Sequence, residues 1–191
     1  VKKIATIEDI GYKEWNEGTL RHFHIRTLDA KPQGDPISGR KVMLYNNDVS
    51  MAICNPDKQM DYFYKNGEGD EVIFVHYGTG TLESQYGSLD YHDGDYIVIP
   101  RGVIYKVVTK SEKTKFMVIE SKSPVYTPAR YKNSYGQYLE HSPFCERDFR
   151  VPETLITVDE KGEFLVKIKK FNKLHHYIFD YHPFDIVGWD G

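Results

Sequence analysis

The sequence predicts a mainly β protein built around a jelly-roll barrel, with irregular arms on both sides of it. Three observations predict this class. Short apolar runs recur between residues 41 and 121 and are separated by Gly, Asn, Asp and Pro, the punctuation of a sandwich or barrel. Fifteen Tyr and ten Phe among 191 residues favour pleated surfaces, where aromatic rings pack well. No long run carries an apolar stripe at i, i+3, i+4 and i+7, so helices are expected to be few.

Taken in order, residues 1–40 read as an N-terminal arm with one or two short strands, one of them Leu20 to Thr27, and a turn-rich linker at Lys31-Pro-Gln-Gly-Asp-Pro36. Residues 41–121 read as the barrel core. Val42 to Tyr45 and Val49 to Cys54 flank Asn46-Asn-Asp48, a hairpin, and Met60 to Tyr64 leads into the turn Asn66-Gly-Glu-Gly69. Val72 to Tyr77 is a buried-type run stopped by Gly78-Thr-Gly80. Thr81 to Tyr86 and Ser88 to Tyr91 meet at Gly87, and Tyr96 to Ile99 ends at Pro100-Arg-Gly102. Val103 to Thr109 and Thr114 to Glu120 complete the set.

Residues 122–191 read as an extended arm followed by returning strands, lying against a neighbouring element, a subunit or a following domain. Pro124, Pro128, Pro143 and Pro152 punctuate a Tyr-rich stretch that is too long for a casual loop. Within it Tyr126, Tyr131, Tyr135, Arg147 and Phe149 are candidates for contact with a neighbouring element or subunit. Strands are expected again at Leu155 to Val158, Phe164 to Ile168 and Ile178 to Tyr181.

Bulk properties exclude several function classes. Lys plus Arg number 25 against 28 Asp plus Glu, a net charge of −3, which argues against an electrostatically driven nucleic-acid or membrane-surface binder. The one basic run, Lys167-Ile-Lys-Lys170, reads as a solvated strand edge. No apolar run approaches the roughly 18 residues a membrane helix needs, and the charged N-terminus lacks a hydrophobic signal core. Cys54 and Cys145 are far apart without a CxxC spacing, so reduced thiols in a cytoplasmic protein are expected.

Gly69-Asp-Glu-Val-Ile-Phe-Val with Gly80-Thr-Leu, followed by Gly94-Asp-Tyr-Ile-Val-Ile-Pro-Arg-Gly102, resembles the framework of a cupin barrel. A metal-binding cupin typically sets a His-x-His pair shortly before a Glu on one strand, and a later His after a Pro-x-Gly turn. Alternate strand residues share a face, so both imidazoles of such a pair point into the barrel, and Fe(II) or Mn(II) accepts that nitrogen and oxygen set. Here Glu71 falls on the Glu position, the two His positions fall on Tyr64 and Asn66, and the later His falls on Tyr105. Tyr64, Asn66, Glu71, Phe74 and Tyr105 are therefore pocket-lining candidates, and neither a metal nor a catalytic residue is expected in this barrel.

The remaining histidines carry little. His76 lies five residues after Glu71, on the opposite face. His22-Phe-His24 has ligand spacing but no partner, and His175-His176 alternate across a strand. Cys145 near His141 is sequence adjacency and not a dyad. The glycines at strand ends do not open a helix, which removes a phosphate-cradling reading.

The order of these segments is similar to the N-terminal cupin half of the homogentisate 1,2-dioxygenase family. Beyond the barrel strands, the similarity rests on Gly136-Gln-Tyr-Leu139 followed by Arg147-Asp-Phe149 and Pro152, and on His182-Pro-Phe-Asp-Ile-Val-Gly-Trp-Asp-Gly191. It covers roughly residues 35–191. The resemblance implies a two-cupin oligomeric enzyme that inserts O2 into homogentisate and opens the ring to maleylacetoacetate, in tyrosine and phenylalanine breakdown. It places Fe(II), held by two His and one Glu, in a downstream cupin, so no iron ligand carries onto a residue of this chain. It also implies that this barrel partners the second cupin half and other subunits, with a small aromatic substrate in the full-length protein. The alternative is a stand-alone metal-free cupin that binds a small aromatic or carbohydrate ligand. A sugar isomerase of cupin type would need acid–base groups in the barrel, and only His76 is near enough to try.

Overall fold

The structure is a computed structural model and describes residues 1, 3–12 and 21–185. Two sheets face each other. The seven-stranded sheet runs in the order β1 (Lys3–Asp9), β12 (Lys173–Tyr181), β11 (Lys161–Lys170), β4 (Phe63–Asn66), β9 (Ile104–Thr109), β6 (Gly80–Ser84) and β7 (Gly87–Tyr91). The five-stranded sheet is β2 (Arg40–Tyr45), β3 (Val49–Cys54), β10 (Lys115–Ser121), β5 (Asp70–Tyr77) and β8 (Tyr96–Ile99). The expected fold class is the one observed, a mainly β jelly roll of the cupin type.

Alternation builds the core. Along β5, Glu71, Ile73 and Val75 are buried, whereas Val72 and Phe74 are half-buried and His76 is exposed. Tyr64 and Tyr105 meet edge-to-face from neighbouring strands at 5.4 Å, and Tyr91 meets Phe116 across the two sheets at 5.7 Å. Aromatic pairs in these orientations contribute about 0.5–1.5 kcal/mol beyond their area burial.

The β2–β3 hairpin turns where expected, because Asn46 Oδ1 accepts from the backbone N–H groups of Asp48 and Val49, both at 2.8 Å. Two expected strands are absent. Residues 21–26 carry no strand, and the N-terminal strand is Lys3–Asp9, paired along β12; Leu20 lies outside the described residues. Residues 155–158 are likewise irregular, with Leu155 exposed.

The returning strands do not leave the barrel. β11 pairs parallel with β4, Val166 opposite Phe63 and Lys169 opposite Asn66, so the β11–β12 hairpin extends the barrel's own sheet. His182 lies against Phe63, Phe164 and Phe184 at 5.1–5.2 Å. Burial, ahead of opposing carboxylates, holds its imidazole below the usual histidine range. The remainder of the expected terminal motif, residues 186–191, lies outside the described residues.

The arm between β10 and β11 is fastened at its ends. Asp70 Oδ2 accepts from Val125 N at 2.8 Å, and Arg150 reaches Asp95 Oδ2 at 2.5 Å. Between these points Tyr131, Tyr138, Phe144 and Phe149 form their own ring cluster at 5.5–5.9 Å, the self-packing of an Ω-loop. Gly87 sets how closely the arm approaches. Its φ is +122°, and a Cβ there would stand 2.3 Å from Thr154 O and 2.7 Å from Pro152 Cβ. Gly87→Ala is therefore expected to cost about 2 kcal/mol and to free the arm before the barrel. Limited proteolysis should cut the variant first near residues 150–160, and faster there than the parent.

Candidate functional site

Of the five residues expected to line a pocket, Glu71, Tyr105 and Tyr64 meet in the barrel interior, whereas Asn66 is buried at its own turn. Glu71 is wholly buried, as are Tyr64, Tyr105 and Asn66 to within a few per cent. Phe74 does not join them: three residues on from Glu71, it takes the opposite face of β5 and stacks on Tyr96 at 4.7 Å beside His76. The odd spacing settles its direction.

The residue that organises the site is Arg40, which opens β2 and was not singled out from the sequence. Its guanidinium, 12% exposed, enters the barrel interior and pairs with Glu71. Of its five N–H groups, Nε–H donates to Pro36 O at 3.0 Å, one Nη1–H to Glu71 Oε1 and one Nη2–H to Tyr105 Oη at 3.0 Å. Among the described residues, one N–H on each terminal nitrogen is left without a partner. Tyr105 Oη in turn donates to Glu71 Oε2 at 2.5 Å, so both carboxylate oxygens are engaged. The guanidinium also lies 5.5 Å from the Tyr64 ring centroid.

Electrostatics fixes the protonation of Arg40 and of the two phenols. Burial works against the charged form of Arg40, but Glu71, with Tyr105 and Tyr64, outweighs it and holds the guanidinium charged. Burial first, then the Glu71 charge, pushes the phenols of Tyr64 and Tyr105 well above the usual range. Asn66 serves its own turn, with Oδ1 accepting from Glu68 N at 2.8 Å and Gly69 N at 3.1 Å.

These residues do not fit Fe(II) or a similar ion. The one carboxylate is spent on a cation and a phenol, the amide oxygen on a turn, and the two phenols stay protonated. A fixed guanidinium charge occupies the space where donors would converge. Among the described residues no group of three His, Cys, Asp or Glu side chains is placed to hold a metal.

The other chemical candidates separate. His22, His24 and His76 are exposed, whereas His175 and His176 are half-buried on β12. Cys54 and Cys145 are free thiols, and burial pushes the Cys54 thiol up to about 12. Of the arm residues, Tyr126, Tyr135 and Arg147 are exposed, Tyr131 is half-buried, and Phe149 is half exposed over the ring cluster.

The basic run is not a solvated edge. Lys169 is 5% exposed and its Nζ contacts both Glu120 oxygens at 2.6 and 2.7 Å. Lys167, two residues earlier on the same face, lies with its ammonium 3.8 Å from the Tyr62 ring centroid. The Lys-x-Lys alternation carried this signal, because period-two spacing inside a strand sends both side chains the same way.

The outer face of the five-stranded sheet is apolar as well. Cross-strand neighbours form one row of Leu44, Met51, Ile119, Val72 and Val98 and another of Ile53, Met117, Phe74 and Tyr96, which Lys41 ends on β2. Leu44, Val98 and Tyr96 are exposed at 57%, 48% and 66%. An antiparallel sheet with one wet face would alternate apolar and polar residues. This one has the makings of a contact surface. No helix among the described residues is long and apolar enough to cross a membrane.

The sequence family described as "Homogentisate 1,2-dioxygenase N-terminal" matches residues 36–191. A Saccharolobus solfataricus protein provisionally named a dioxygenase is 35% identical over 179 residues, covering 93% of this chain and 46% of that protein. The homogentisate 1,2-dioxygenase of Emericella nidulans is 26% identical over 164 residues, covering 83% of this chain and 33% of the enzyme. This chain therefore spans about half or less of the length of these curated relatives. Among solved structures, a cupin-2 domain protein from Shewanella frigidimarina is similar at 23% identity and a TM-score of 0.41, over 50% of this chain and 86% of that one.

Proposed function

The chain belongs to the homogentisate 1,2-dioxygenase family through that family's N-terminal part, and from this premise we propose that it is the metal-free supporting barrel of an O2-dependent, ring-opening enzyme acting on homogentisate. In this reading the iron and the chemistry belong to a second cupin half, and the present barrel braces that half and the neighbouring subunits of an oligomer in the cytoplasm. The observation that carries the reading is the Arg40–Glu71–Tyr105 cluster. A covalently held cation satisfies the one carboxylate that a cupin metal site would use, so the barrel interior is built for rigidity. The apolar outer face of the five-stranded sheet supports the contact role, together with Tyr126 and Tyr135 on the arm. Tyr131 and Phe149 act there through the ring cluster that shapes the arm, and Arg147 through its exposed charge.

Metal analysis tests the proposal. The chain, incubated with Fe(II) without oxygen and then desalted, is expected to retain far less than one iron per chain, and Glu71→Gln should retain no less than the parent. Stoichiometric iron that is lost in Glu71→Gln would refute the supporting role.

A further inference from the structure

The turn that follows β12 is built on one histidine. His182 N donates to Glu160 O at 2.9 Å, His182 O accepts from Asp185 N at 2.9 Å, and the imidazole Nδ1 accepts from Phe184 N at 3.2 Å. The neutral ring therefore carries its proton on Nε2, because an N–H at Nδ1 would face the N–H of Phe184. The same ring helps to bury its neighbour. Phe184, 2% exposed, meets His182 at 5.2 Å and Phe63 of β4 at 5.1 Å, while Phe164 of β11 stands 5.1 Å from the imidazole on another side.

A charge on this ring would act twice. A second ring proton takes the acceptor away from Phe184 N and leaves two donors face to face. It also sets a cation among three phenyl rings, with less water than a free imidazolium has. Charged groups approach from the surrounding elements. Glu83 on β6, Glu160 ahead of β11 and Asp185 within the turn favour the charged ring, whereas Lys106 on β9, its ammonium 5.9 Å from the Phe63 centroid, opposes it. Burial is the largest influence and outweighs the carboxylates.

We propose that residues 182–185 form a pH-sensitive latch, shut while neutral His182 seats Phe184 against the barrel and opened when the imidazole takes a second proton. The direction follows from linkage. A histidine held below its ordinary 6.5 lends its full stability above that value and loses it as pH falls through 6.5 toward the folded value. Ordinary carboxylates do not titrate in that range. The latch stands on this geometry and holds whether or not the barrel supports a downstream catalytic half.

Amide hydrogen exchange read by NMR between about pH 7.5 and 5 tests it. After correction for intrinsic exchange, protection of the Phe184 and Asp185 amides is expected to fall about threefold or more over this range in the parent. His182→Asn keeps an acceptor for Phe184 N, since an Asn Oδ1 bonds the backbone two residues on, but has no proton to gain. Its protection at the two amides should stay level across the range, whatever its absolute stability. In the parent the His182 ring signals should titrate below 6.5. Protection that does not fall in the parent, an equal fall in His182→Asn, or a His182 titration at or above 6.5 would each overturn the proposal.

Discussion

Arg40→Met is expected to lose about 3–5 kcal/mol of folding stability, because it strands the Glu71 carboxylate without a counter-charge in the barrel interior. The Glu71 side chain has no exposure, so water cannot take over the role of the guanidinium. For a chain of this length the loss corresponds to a fall in Tm on the order of 10 °C. Removing both charges should cost less than removing one. Arg40→Met/Glu71→Leu is expected to regain much of the stability, yet it leaves the Tyr105 hydroxyl buried without either of its partners. Adding Tyr105→Phe removes that orphan and should bring the barrel nearer the parent. Urea denaturation of the four proteins checks the order. A single Arg40→Met variant within about 1 kcal/mol of the parent would mean that the cluster does not hold the barrel.

Much of the fold could be read from local chemistry, and the failures have identifiable causes. The hairpin at Asn46 and the strands Val49–Cys54 and Tyr96–Ile99 have turn residues at their ends, and Tyr96–Ile99 shows period-two burial. The β11–β12 hairpin was harder to see. Its turn is Phe171-Asn172, with φ of +54° and +53°, the geometry of a type I′ turn that usually takes Asn-Gly. A phenylalanine in that region hides the turn, and the two strands then read as separate short pieces after the barrel. The parallel β4–β11 pairing joins residues about a hundred positions apart, and no local pattern encodes it.

The interior site was half legible for a related reason. Glu71, Tyr64 and Tyr105 followed from strand alternation within a cupin framework. Arg40 and Lys169 did not, since basic residues default to the surface unless a partner is known, and their partners Glu71 and Glu120 lie 31 and 49 residues away. Leu155 fails for the opposite reason: an apolar residue in a β-like run remains exposed on an arm that covers no core.

The second large effect is expected at Lys169. Replacing it with Met removes the partner of Glu120, whose side chain is 15% exposed, and leaves a largely buried carboxylate facing Tyr12 and Ser50. A cost of about 3 kcal/mol at neutral pH follows for breaking such a pair. The pH dependence separates this cause from a simple packing loss. Burial disfavours the charged ammonium, but Glu120, with Tyr12, outweighs burial and raises the Lys169 pKa above its ordinary value near 10.5. A group with a raised folded pKa lends its stability in full below the unfolded value and loses it as pH climbs through the folded one. The parent should therefore weaken in strong alkali while Lys169→Met, lacking the ammonium, does not share that loss, and the gap between them should narrow above about pH 10.5. Denaturant midpoints measured from pH 7 to 11 test this. A gap that stays constant across the range would assign the loss to packing of the lysine stem and not to its charge.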